Sequence, residues 1–459
     1  MALALYAATI SVDALRKVTG FSNSAVGVIY LIVAVMYLFL LPGIRGRIPA
    51  APRALPLWLV LITFWCVIEA VVPRIPLTMA LLGWTSYVFF VPLLYIGCEL
   101  MATDRSAART LRVVTIAGGV IGLGAIASAV LGQSAPAILQ PITPSVGIHS
   151  SSNGNIYLAP SIFASGEEAA EHLLIALFAW IALTYLPSGK LQRSLSAALG
   201  ILIAVGLFAA ERRADIVVAI LGVAVVVLPT YRARTGRRSH RITMTKGRTG
   251  LVLVLAAVGS MALISFLGAS KIVPFLTSKS NAQSTLTVMF SLVNPGSLTG
   301  QGTGTSAAGA NAVGATAFTE YRNYQEYGAY LLGGRTFITA EGGLAKTWLE
   351  LGIVGVVLYG GVFLATLGPI VRSLRRLDGV GRALTVLAVA LGIVFLKGHQ
   401  SLDDPLVQPL FWLCVGGAWG RMRTHVAGAP DETRLARQAM GARRLPAPTD
   451  TADPARLKI

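Results

Sequence analysis

Residues 111–131 read LRVVTIAGGVIGLGAIASAVL, one arginine near the start and then nineteen positions without a charge. As a helix this stretch is roughly 30 Å long, the depth of a bilayer's hydrocarbon core. Similar apolar blocks lie near 24–42, 55–72, 77–101, 169–186, 192–210, 214–231, 250–268, 344–370, 382–397 and 405–420. Of the 459 residues, 54% are hydrophobic and 13% charged, against about 25% charged in an ordinary soluble domain. A single soluble core cannot hide that much apolar surface. The expected fold class is an all-α polytopic membrane protein of about 12 transmembrane helices, or 11 if the apolar stretch 1–12 does not span. That stretch has no basic leader and no clear cleavage site, so a removable signal peptide is not expected.

The loops alternate in charge. One set holds Arg45, Arg47 and Arg53, then Arg105, Arg109 and Arg112, then Lys190 and Arg193. It continues with seven bases between Arg232 and Arg248, then Arg372, Arg375, Arg376 and Arg382, and eight in the tail, 27 of the 38 basic residues in all. The positive-inside rule puts this set in the cytoplasm. With twelve spans both termini lie inside. The formal charge of +18 therefore speaks for membrane orientation and lipid contact, and against nucleic acid as a partner. Cys66, Cys98 and Cys414 sit in separate apolar blocks and suggest neither a metal site nor a disulfide framework. Residues 1–420 form the expected transmembrane domain. The tail 421–459 is basic, rich in Ala, Arg and Pro, and is expected to be disordered.

The same orientation leaves 132–168, 269–343 and 398–404 outside. The long loop 269–343 is rich in Gly, Ser, Thr and Asn before turning aromatic and charged. Tyr321, Tyr324, Tyr327 and Tyr330 recur every third residue, which fits either a surface-lying helix or an aromatic belt anchor. A charge at membrane depth costs about 2.5–3.5 kcal/mol, so the outer charges need partners or tasks. Glu211, Arg212, Arg213 and Asp215 mark a tight outer turn between two blocks. Two readings stand there: a self-neutralised turn, or a guanidinium fork that grips a phosphate-bearing lipid. After the large loop comes Glu341-Gly-Gly-Leu-Ala-Lys-Thr-Trp-Leu-Glu350-Leu-Gly352-Ile-Val-Gly355. Glu341 stands at a helix start, where capping alone can stabilise a carboxylate. Glu350 lies about 13 Å further down and needs a partner inside the bundle, while Gly352 and Gly355 are spaced for close helix packing.

Gly300-Gln-Gly302-Thr-Gly304 lacks the Lys-Ser/Thr pair of a nucleotide loop, so a tight turn or close ligand approach is the better reading. His399 in the last outer loop is either a base or a plain loop residue. Asp403 and Asp404 have no apparent third ligand, so a metal site is poorly supported.

Together these segments resemble the O-antigen ligase and polymerase superfamily of bacterial envelope glycosyltransferases, over roughly 55–420. The resemblance rests on Arg213-Ala214 between two central spans, with Arg212 beside it, on the glycine stretch at 300–304, and on Glu350-x-Gly352-x-x-Gly355. Phe411-Trp412 and Gly416-Gly417 look like the family's final span. In this register Glu341 falls where the ligases have a histidine, and a glutamate there looks more like the polymerase branch. No arginine lies between Ser280 and Pro295, where some relatives carry one, which leaves Arg322 and Arg335 as the other outer arginines.

The resemblance implies a GT-C-like fold in the inner membrane, with an active site facing the periplasm. It also implies a metal-independent enzyme without cofactors. The expected reaction joins undecaprenyl-pyrophosphate-linked repeat units into a surface polysaccharide, an O-antigen or exopolysaccharide. The implied partners are the carrier-linked donor, a glycan acceptor, the bilayer, and a chain-length regulator or flippase. Arg213 and Arg212 would stabilise the departing pyrophosphate, and Glu341 would act as base if partial burial raises its proton affinity. Arg322, Arg335, Gly300, Gly302 and His399 would contact substrate; Glu350, Gly352 and Gly355 would be structural. The alternatives are a ligase acting on lipid A–core, a peptidoglycan polymerase, against which the Glu-x-Gly-x-x-Gly register argues, and a lipid-linked glycan flippase. A flippase would spread its charges along a central pathway, whereas these cluster on one side.

Overall fold

The computed structural model describes residues 14, 24–45, 54–140, 148–151, 154–157, 159–163, 166–186, 190–210, 213–232, 298–305, 343–397 and 407–423. The N-terminal stretch 1–12, the block 250–268, the tyrosine-rich segment and the tail beyond 423 lie outside them. The described chain is helical. Its helices are α1 (Ser24–Arg45), α2 (Leu55–Val71), α3 (Leu77–Trp84), α4 (Leu93–Leu100), α5 (Asp104–Leu131), α6 (Gly166–Thr184), α7 (Lys190–Ala209), α8 (Arg213–Arg232), α9 (Gly343–Ser373), α10 (Gly379–Lys397) and α11 (407–423). One short antiparallel hairpin, β1 (Ile148–Ser151) with β2 (Gly154–Tyr157), pairs Ile148 opposite Tyr157.

Four stretches among the described residues are long and apolar enough to cross a membrane: Leu77–Leu100, Asp104–Ser134, Gly343–Ser373 and Gly379–Leu396. The chain is a helical membrane protein by this measure. The outward faces agree. On α2, Leu57, Val60, Phe64, Val67 and Val71 point outward at helical spacing, while Leu55, Ile62, Cys66 and Glu69 are buried. A helix apolar on both sides is stable against lipid, not water.

Local sequence sets the breaks. The apolar stretch Leu77–Leu100 is not one straight helix. It passes from α3 through a π-helical turn, Thr85–Phe89, to Pro92 and α4. Pro92 has no amide to continue the ladder, so the widened turn and a run of three-residue turns absorb the register. α5 starts on a reciprocal cap, Thr103 with Ser106, and stops at Gly132, whose φ is 54°. α6 is buried around its circumference from Ala169 to Ala182 and packs against α5, α7, α8 and α10. Close helix crossings use glycine. A side-chain carbon at Gly97, Gly416 or Gly420 would overlap carbonyls of Leu413, Leu94 or Cys98, so α4 and α11 touch backbone to backbone.

At one end of the bundle Arg421 ties three segments together. It is ion-paired to Asp104 at 2.6 Å and to Asp378, which also accepts the Gly381 amide and so caps α10. Burial works against the Arg421 charge, but hydrogen bonding and attraction from Asp378 and Asp104 outweigh it and raise its pKa. Arg421 thus belongs to the helical body, and α11 runs past the expected start of the tail to 423.

Candidate functional site

The polar features converge where α9 breaks. Gly352 adopts φ 64°, ψ −167°, a conformation that a side-chain-bearing residue rarely takes. This turns the following peptide out of the ladder, and the carbonyls of the preceding turn lose their ordinary donors. Buried carbonyls must be satisfied elsewhere. Gln301 N–H donates to Leu349 O at 2.7 Å and Gly302 N–H to Glu350 O at 3.1 Å, while Trp65 Nε1–H donates to Leu351 O at 2.8 Å.

The donors at 301 and 302 lie in a tight turn within the described segment 298–305. Gly302 (φ 123°) and Gly304 (φ 81°) provide its bends. A side-chain carbon at Gly300 would overlap the Glu350 backbone, and one at Gly304 the Met79 carbonyl. These glycines allow backbone to meet the helices directly, with the amides of Gly300 and Gly302 donating to protein groups.

On the far side of the turn stands Glu69, buried in α2. Its Oε1 accepts the Gly300 N–H at 3.1 Å, and its own carbonyl accepts the Thr303 N–H at 3.2 Å. The usual donor to that carbonyl would be residue 73, which is Pro73 and has no N–H. Thr303 Oγ1–H donates to Cys66 O at 2.8 Å. The turn 300–303 therefore supplies donors to the end of one helix and to the break in another.

Beside it lies a buried ionic cluster. Glu350, fully buried, accepts from Tyr87 Oη at 3.0 Å on Oε2 and faces Lys346 Nζ at 3.7 Å on Oε1. Lys346 Nζ donates to Ser86 Oγ at 3.3 Å and stands 5.7 Å from the Tyr87 ring centre. Gln408 Nε2, from the first turn of α11, donates to Ser86 O at 2.9 Å. Ser86 and Tyr87 both sit in the π-helical turn, so α9, α11 and the broken span α3–α4 meet here. Charges taken out of water cost several kcal/mol each unless well partnered, and here each carries a named partner.

The structure thus brings together Gly300, Gly302, Glu350 and Gly352. Gly355 differs from its expected use: a carbon there would meet Leu351 of the same helix, and the close approach at Gly352 is to the Leu298–Thr299 backbone. Arg213 is the first residue of α8, and Asp215, two residues on, is fully buried. Glu341 lies outside the described residues, two positions before α9 begins. So do Arg212, Arg322, Arg335 and His399. Among the described residues no group of three or more His, Cys, Asp or Glu side chains gathers as metal ligands.

Sequence reading alone missed Glu69, Ser86, Tyr87, Lys346 and Gln408. A signal existed for two of them. Glu69 is a lone carboxylate inside an apolar block, and Lys346 stands one helical turn before Glu350. Nothing local marks Ser86 or Gln408. Searches of protein-family models and of curated protein sequences find no match to this chain.

Proposed function

We propose that this chain is a bacterial inner-membrane glycosyltransferase that polymerises undecaprenyl-pyrophosphate-linked repeat units on the periplasmic face. In this reading it has twelve spans in a GT-C-like arrangement. The observation that carries the reading is the meeting of two motif halves some fifty residues apart. The Gly300–Gly304 turn is hydrogen-bonded onto the Glu350-Leu351-Gly352 break. That pairing holds residues 300–304 of the expected outer loop against the helix that begins two positions after Glu341.

The chemistry is substitution at an anomeric carbon. A sugar hydroxyl of one carrier-linked unit forms the new C–O bond. The bond from the donor's anomeric carbon to pyrophosphate oxygen breaks, and the electron pair leaves with the pyrophosphate. Arg213, with Arg212, stabilises that developing charge. Glu341 takes the hydroxyl proton, a task that contributes typically about 10²–10⁴-fold. Arg322, Arg335 and His399 contact the glycan and phosphates. The pyrophosphate is already an activated leaving group, so no second energy source is required outside the cell.

The test is made in cells. Arg213→Ala and Glu341→Gln are expected to abolish long surface glycan while single repeat units accumulate on the carrier in the outer leaflet. Full-length polysaccharide from both variants would refute the assigned roles. Carrier-linked units trapped in the inner leaflet would point to a flippase, and long chains left unattached to lipid A–core would point to a ligase.

A further inference from the structure

The segment 306–342 holds Arg322, Arg335 and Glu341, and the described chain stops before it at Thr305 and resumes after it at Gly343. Gly343, the residue after it, opens α9. The described turn before it is held at the level of Glu350, seven residues or about 10 Å further along the same helix, by the amides of Gln301 and Gly302. α9 does not hold Gly300, whose N–H points across to Glu69 on α2. A carboxylate buried in an apolar helix is a costly choice where leucine would suffice. Its use here is as an acceptor, on a helix whose ladder Pro73 interrupts just beyond.

We propose that Glu69 is a positioning residue that clamps the Gly300–Thr303 turn between α2 and α9 and so fixes the inner edge of the outer loop. The proposal rests on the glycosyl-transfer reading for its effect on catalysis, but the clamp itself can be read without activity. Thr303 donates its hydroxyl to the Cys66 carbonyl at 2.8 Å, so the side chain at 303 lies directly against residue 66. A thiol introduced by Thr303→Cys therefore reports directly on docking of the turn.

The experiment uses the full chain in nanodiscs. Disulfide formation between position 303 and Cys66 under mild oxidant is followed by peptide mass spectrometry in three backgrounds: Glu69, Glu69→Gln and Glu69→Leu. Gln keeps a side-chain carbonyl for the Gly300 amide and is expected to cross-link within about twofold of the parent. Leu keeps volume but no acceptor and is expected to slow cross-linking at least about tenfold. In the Thr303 background, Glu69→Leu is expected to raise KM for the carrier-linked donor at least about tenfold, since small misplacements cost large factors. Glu69→Gln is expected to stay near the parent. Should the Leu variant not fold, Glu69→Met is the second apolar replacement and is read on the same scales. Unslowed cross-linking in the apolar variants overturns the proposal, and so does a Gln variant as impaired as Leu. If cross-linking follows the expected order while the parent makes no polymer, the clamp stands and the glycosyl-transfer reading falls.

Discussion

Replacing Lys346 by Met removes the ammonium and leaves the stem volume nearly unchanged. Glu350 then stays fully buried with its Tyr87 hydrogen bond but without the cation at 3.7 Å, and Ser86 loses a donor. Breaking a buried ion pair from one side costs about 3–5 kcal/mol, because the remaining charge is left uncompensated. At roughly 2.1 cal/mol/K of unfolding entropy per residue, a chain of 459 residues has close to 1 kcal/mol/K. The midpoint of thermal unfolding should therefore fall by about 3–5 °C. The double variant Lys346→Met, Glu350→Leu removes both charges and should recover most of that loss. The assay is thermal unfolding of purified protein in one fixed detergent, for wild type, both single variants and the double. Additive losses in the double variant, or a Lys346→Met protein as stable as wild type, would refute the view that the two side chains compensate each other.

Gly352→Ala should be among the most damaging alanine substitutions in α9, because it strains φ 64° and drives a carbon into the Leu298 carbonyl. Gly360→Ala on the same helix meets nothing within 4 Å and should be neutral or stabilising by up to about 1 kcal/mol; thermal unfolding of the pair checks both. Trp65→Phe keeps an aromatic ring but removes the donor to Leu351 O, and should cost about 1–3 kcal/mol for the carbonyl left unpaired. A loss no larger than that of an exposed apolar swap such as Phe64→Leu would contradict this. Polymer formation by purified protein should survive exhaustive chelation. A loss of activity that returns on adding divalent cation would overturn the metal-independent mechanism.

Much of the helical frame was legible because apolar length is a one-dimensional signal. The blocks at 77–101 and 344–370 coincide with helical stretches at Leu77–Leu100 and Gly343–Ser373. The breaks within them were less so. Pro92 announces a disturbance, but not that the π-helical turn ahead of it would bring Ser86 and Tyr87 to α9 and α11. Gly300, Gly302 and Gly304 signalled a tight turn, yet not that its amides would complete α9. That partnership joins residues nearly fifty positions apart, and no periodicity carries it. Glu350 was legible as a charge needing a partner. That the partners are Lys346 and Tyr87 depends on rotation of one helix against another.

Stoichiometry of carrier release tests the central claim most directly. With purified protein and a defined undecaprenyl-pyrophosphate-linked oligosaccharide, each new glycosidic bond should free one molecule of undecaprenyl pyrophosphate, and Glu341→Gln should abolish both together. Movement of intact carrier-linked oligosaccharide across the bilayer with no pyrophosphate-terminated carrier released would contradict the account.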